Sequence, residues 1–92
     1  MKILQNNNKI SFIDFGIVEV GESKEVAITV ENDSTAYLEN LVFKCEGVKV
    51  LEAPVRLDPN TSGIVKLLWV PSISLKKPLK AELKVEGIEV YK

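Results

Sequence analysis

Apolar and polar residues alternate with a period of two along most of this chain. Val26, Ile28 and Val30 interleave with Glu25, Ala27, Thr29 and Glu31, the pattern of a strand with one face in a core and the other in water. Leu41, Phe43 and Cys45 alternate with Val42 and Lys44, and Val48 and Val50 carry the pattern past Gly47. Leu79, Ala81, Leu83 and Val85 alternate with Lys80, Glu82, Lys84 and Glu86, and Ile88 and Val90 extend that run beyond Gly87. One segment departs from this rule. Around Val65, Leu67 and Trp69, the neighbours Ile64, Leu68 and Val70 are apolar too, so this strand is expected to be covered on both faces, or to meet a partner on its outer one. No segment sustains an i, i+3, i+4 stripe long enough for a helix.

Turn-forming residues separate the runs: Gly16, Gly21-Glu22-Ser23, Asn32-Asp33-Ser34, Glu46-Gly47, Asp58-Pro59-Asn60, Ser62-Gly63, Pro71 to Ser74, and Pro78. Asn, Asp and Gly supply the conformations that turns need, and Pro removes a ladder donor. About seven short antiparallel strands with turns every 8–12 residues predict an all-β, immunoglobulin-like sandwich, with a small closed barrel as the structural alternative. The sandwich is expected over residues 10–92. Residues 1–9 differ, because the polar run Gln5 to Asn8 breaks the alternation. They read as an N-terminal arm, either frayed or ordered on a partner through Ile3 and Leu4.

Composition narrows the function classes. The chain has 92 residues, 46% hydrophobic and 27% charged, suited to one globular domain. Twelve basic residues against 13 acidic ones leave a formal net charge of -1, so no global field draws it to nucleic acid or an anionic membrane. With no histidine in the chain, the residue most used for acid–base work near neutral pH is missing. The acids Glu19, Glu22, Glu25, Glu31 and Glu82 fall at turns or water-facing strand positions. Cys45 sits in an apolar alternation and is expected to be a buried, inert thiol. Neither zinc-ligand spacing nor a calcium-loop triplet occurs, and Gly16 and Gly21 are too far apart for a dinucleotide fingerprint. No enzyme activity, cofactor or metal is expected. Lys76, Lys77, Lys80 and Lys84 read as guards of a terminal strand edge. Asn32-Asp33-Ser34 and Asn60-Thr61-Ser62 match the glycosylation pattern but read as turns. No apolar signal core or membrane span is visible, so a soluble chain made in the cytoplasm is expected.

The stretch Phe15-Gly16-Ile17-Val18-Glu19-Val20-Gly21 before the strand at Glu25 to Glu31, and the later Leu57-Asp58-Pro59-Asn60-Thr61-Ser62-Gly63 before Val65 to Trp69 and Pro71, resemble immunoglobulin-like domains of the major-sperm-protein and cilia-associated type. The resemblance spans roughly residues 12–90. It implies architecture more than activity. Comparable stand-alone domains serve as capsid decorations or appendages of tailed-phage virions. The leading expectation is therefore a small virion accessory protein that binds a capsid or tail shell. The alternatives are a cytoplasmic scaffold domain acting on filaments or another chain, and a carbohydrate- or ligand-binding sandwich. Trp69 is expected at the centre of the core, with an interface anchor as its alternative role. The candidate interaction residues are Ile3, Leu4, Ile64, Leu68, Val70, Tyr37 and Tyr91. The partner is a protein, and self-association is left open.

Overall fold

Residues 1–71 and 79–91 are described by a computed structural model. They are all-β and helix-free, with nine strands: β1 (Lys2–Gln5), β2 (Asn8–Lys9), β3 (Ile13–Asp14), β4 (Lys24–Glu31), β5 (Tyr37–Cys45), β6 (Lys49–Glu52), β7 (Ser62–Trp69), β8 (Lys80–Ala81) and β9 (Leu83–Val90). Against about seven expected, six have four or more residues, and β2, β3 and β8 have two each. The turn signals at Ser72 to Ser74 and Pro78, and the lysines Lys76 and Lys77, lie outside the described residues.

Three antiparallel sheets result. The largest runs β2-β1-β4-β7-β6, and two smaller ones pair β3 with β8 and β5 with β9. The alternation places the core. Val26, Ile28 and Val30 of β4 and Val65, Leu67 and Trp69 of β7 are buried on one face of the five-stranded sheet. Leu41, Phe43 and Cys45 of β5 and Leu83 of β9 join them in a single apolar cluster. Trp69 is buried and meets the buried Phe15 edge to face, with ring centroids 6.2 Å apart at 63°. The Phe15-Gly16 segment is thus tied to the core by its aromatic ring, and Gly16 and Gly21 both take positive φ.

Two expectations are corrected. Residues 2–9 do not stand apart as an arm: β1 pairs with β4, setting Ile3 opposite Val30 and Leu4 opposite Thr29. Pairs Leu4–Lys9 and Gln5–Asn8 leave a two-residue turn, and both of its residues, Asn6 and Asn7, have positive φ, 53° and 65°. That is type I′ hairpin geometry, which asparagine tolerates and which matches the strand twist. The polar run is a turn inside the sheet. Gln5 then fastens the hairpin to β3, donating from Nε2 to the Asp14 carbonyl at 2.9 Å and accepting the Asp14 amide at 3.1 Å. The second correction concerns Val48 and Val50, which do not extend the strand of Phe43. The chain turns at Glu46-Gly47, and β6 joins the five-stranded sheet beside β7.

The β5–β9 sheet is irregular where glycine and asparagine permit it. Pairing of β5 with β9 shifts register between Glu39 and Val42, where Asn40 has φ 53°. Across from it, a Cβ on Gly87 would lie 2.7 Å from Leu41 Cδ2 and 3.2 Å from the Glu39 carbonyl oxygen, so the close approach of the two strands needs glycine there.

Candidate functional site

Cys45 is 8% exposed, and burial pushes its thiol pKa up, which suppresses the nucleophilic thiolate. A neutral disulfide reagent at pH 7–8 is expected to react with native Cys45 at least about a hundredfold more slowly than with the urea-unfolded chain. Equal rates would show that the thiol is accessible. The carboxylates of Glu19, Glu22, Glu25 and Glu82 are on exposed residues. Asp33, also exposed, is held below the usual carboxylate range by a hydrogen bond from the Met1 ammonium and by its charge. That contact contributes at neutral pH and is lost as the pH falls through the lowered value. No group of three or more Cys, Asp or Glu that could hold a metal occurs among the described residues.

What remains is surface. On β4 the side chains opposite the core are Glu25, Ala27, Thr29 and Glu31, as the alternation demands. On β7 they are Ile64, Lys66 and Leu68, with Val70 following just past the strand end. Cross-strand register assembles these positions into rows. Leu4, Thr29 and Ile64 lie side by side. Lys66 lies between Ala27 and Glu52 and makes an ion pair with Glu52 at 3.3 Å. Leu68 lies between Glu25 and Lys49, and the apolar stems of such long side chains account for its half-burial. Ile64 and Val70 are 58% and 60% exposed. At about 3.3 Å per residue, the stripe from Ile64 to Val70 is about 20 Å long.

The candidate residues therefore separate. Leu4, Ile64, Leu68 and Val70 share the outer face of the five-stranded sheet. Ile3 points the other way and packs against the core cluster. Tyr37 belongs to the β5–β9 sheet, where it is half-buried and carries the Arg56 guanidinium 5.5 Å from its ring centre. Tyr91 follows β9, is exposed, and donates its hydroxyl hydrogen bond to Glu89 at 3.3 Å. The tyrosines thus form no common site with the apolar stripe.

Two features escaped the sequence. Asn32 read as a turn residue, yet it is 1% exposed. Its side-chain amide donates to the carbonyls of Ala36 at 2.8 Å, Leu57 at 3.1 Å and Asp58 at 3.1 Å. Its side-chain oxygen accepts from the Ser34 amide and hydroxyl. A buried Asn and a turn Asn look alike in a sequence. The other feature is a groove of about 390 Å³ between β1 and β9, lined by Ile3, Leu41, Leu83, Val85, Gly87 and Glu89 among others. It brings together residues of β1, β5 and β9, which no local pattern records. No family model, curated protein or solved structure matches this chain.

Proposed function

We propose that this chain is an immunoglobulin-like β-sandwich acting as a non-enzymatic interaction module, and that in its most concrete form it is a small accessory protein seated on a virion shell or tail. The order of connections supports the sandwich reading. Strands β1-β4-β7-β6 stand as A-B-E-D would, and β5 with β9 as C and F. The observation that carries the binding reading is the apolar stripe of Ile64, Leu68 and Val70, flanked by Leu4. An antiparallel sheet with one solvated face keeps that face polar, as β4 does. A central strand that sets Ile64 and Leu68 on its outer side around a single lysine, with Val70 just beyond, leaves exposed apolar surface that suits a covering partner. The virion setting rests on the resemblance of the Phe15 to Gly21 and Leu57 to Gly63 stretches to such immunoglobulin-like domains.

The test is co-sedimentation of the purified chain with capsid or tail particles of its own source. Wild-type chain is expected to bind, and Ile64→Glu to weaken binding at least about tenfold by setting a charge in the stripe. Because Ile64 is exposed, its unfolding free energy is expected to stay within about 0.5 kcal/mol of the parent. Absence of wild-type binding removes the virion reading, and unchanged binding by the variant removes this face.

A further inference from the structure

The core is enclosed by the five-stranded sheet and by the two-stranded sheets β3–β8 and β5–β9. Ile3 on β1, opposite Val30, is only partly buried against the core cluster. It lines an open groove with Leu38 and Leu41 of β5 and Leu83 and Val85 of β9.

Strand β9 forms one wall of this groove. It pairs with β5 on one side, and its backbone finds no second ladder among the described residues. An eight-residue strand so placed presents a row of N–H and C=O groups that only another extended backbone can satisfy in register. A lipid chain or a small apolar ligand would fill the groove and leave that row unpaired. The inward positions of β9 alternate as Leu83, Val85, Gly87 and Glu89, all of which line the groove. The first two offer apolar contacts, and Gly87 presents no side chain. Glu89 brings a negative charge to the far end and makes no ion pair among the described residues. The nearby Met1 ammonium is already engaged by Asp33 at 3.3 Å.

We propose that the groove between β1 and β9 receives an extended segment of another protein chain, which adds a strand to the free edge of β9. The segment carries apolar side chains at alternate positions, seated over Ile3, Leu83 and Val85, and a lysine or arginine at the end that meets Glu89. Backbone pairing supplies the affinity, and the alternate side chains with the terminal charge supply the selection. The inference rests on the reading of this protein as an interaction module but uses a different surface, so the two can fail separately.

The probe is a synthetic, end-capped heptapeptide of alternating valine and threonine with a lysine at one terminus, added to the full chain. Amide hydrogen exchange of residues 83–90 is the readout. Saturable protection of at least about tenfold is expected, with the same result in the Ile64→Glu variant. The same peptide N-methylated at alternate amides is expected to give none, because strand pairing is blocked. Glu89→Lys changes an exposed residue and leaves the core intact. It is expected to reverse the preference towards a peptide ending in glutamate by at least about tenfold. No protection at millimolar peptide, protection confined to other strands, or equal protection by the N-methylated peptide each overturns the proposal. Protection of residues 83–90 that rises with the concentration of the chain alone, together with dimer in sedimentation, also overturns it, since the groove then belongs to a second copy.

Discussion

Trp69→Ala is expected to lower the unfolding free energy by about 3–5 kcal/mol, the range for removing a large buried aromatic side chain. Trp69 is 5% exposed near the end of β7, and it holds the edge-to-face contact with Phe15. Its loss therefore opens a cavity and removes the ring contact of the Phe15-Gly16 segment, which keeps its backbone bonds to Leu79. A domain of this size has about 5–14 kcal/mol in total, so the variant stands near the limit of folding. Trp69→Phe keeps a ring against Phe15 and is expected to cost clearly less, about 1–2 kcal/mol. Urea titrations followed by far-ultraviolet circular dichroism distinguish the two, because the only tryptophan of the chain is lost in both variants and fluorescence goes with it. Equal and small losses would place Trp69 outside the load of the core and return it to the role of interface anchor.

Asn32→Asp is expected to cost at least about 3 kcal/mol at neutral pH, more than Asn32→Ala. The Asn32 amide serves three carbonyls from two separate turns. Its backbone completes the junction, with its amide donating to Thr61 at 2.9 Å and its carbonyl accepting from Asn60 at 2.8 Å. One side chain therefore locks the connection between β4 and β5 onto the connection between β6 and β7. The aspartate exchanges donors for a buried charge facing those carbonyls. Alanine removes the donors without adding repulsion, and Leu57 and Asp58 keep other donors, from Leu38 and Thr61. About 2 kcal/mol is expected for the alanine variant. The pH dependence separates the causes. A carboxyl in this place has its folded pKa raised above the unfolded one. The Asn32→Asp variant should then recover stability as the pH falls below the unfolded value and lose it as the pH rises through the folded one. A pH-independent deficit would point to lost packing instead of a buried charge.

Legibility in the sequence followed the range of the interactions. The alternation in β4, β5, β7 and β9 was readable because side chains of a strand point to opposite faces whatever the strand pairs with. Hence the core positions of Val26, Ile28, Val30, Leu41, Phe43, Val65, Leu67 and Leu83 were visible, as was the burial of Cys45, whereas β7 is covered on one face only, with Ile64 58% exposed on the other. The start of the chain misled because Gln5 to Asn8 has no apolar rhythm. Its asparagines nonetheless adopt the positive φ of a tight hairpin, and a turn two residues long leaves almost no pattern of its own.

Which strands became neighbours was a different matter. Leu4 and Ile64 are sixty residues apart in sequence, and only the pairing of β1 and β7 on either side of β4 sets them in one row with Thr29. Asn32 gained its role from two turns that meet only when the sheets close. The groove beside β9 is lined by residues of β1, β5 and β9, which only the fold brings together. By itself the sequence determined the all-β class and the inward face of each long strand, since these depend on residue type and period. Only the tertiary structure decided the registers, the apolar row on the outer face and the open edge at β9, because each comes from backbone hydrogen bonds between segments far apart in the chain.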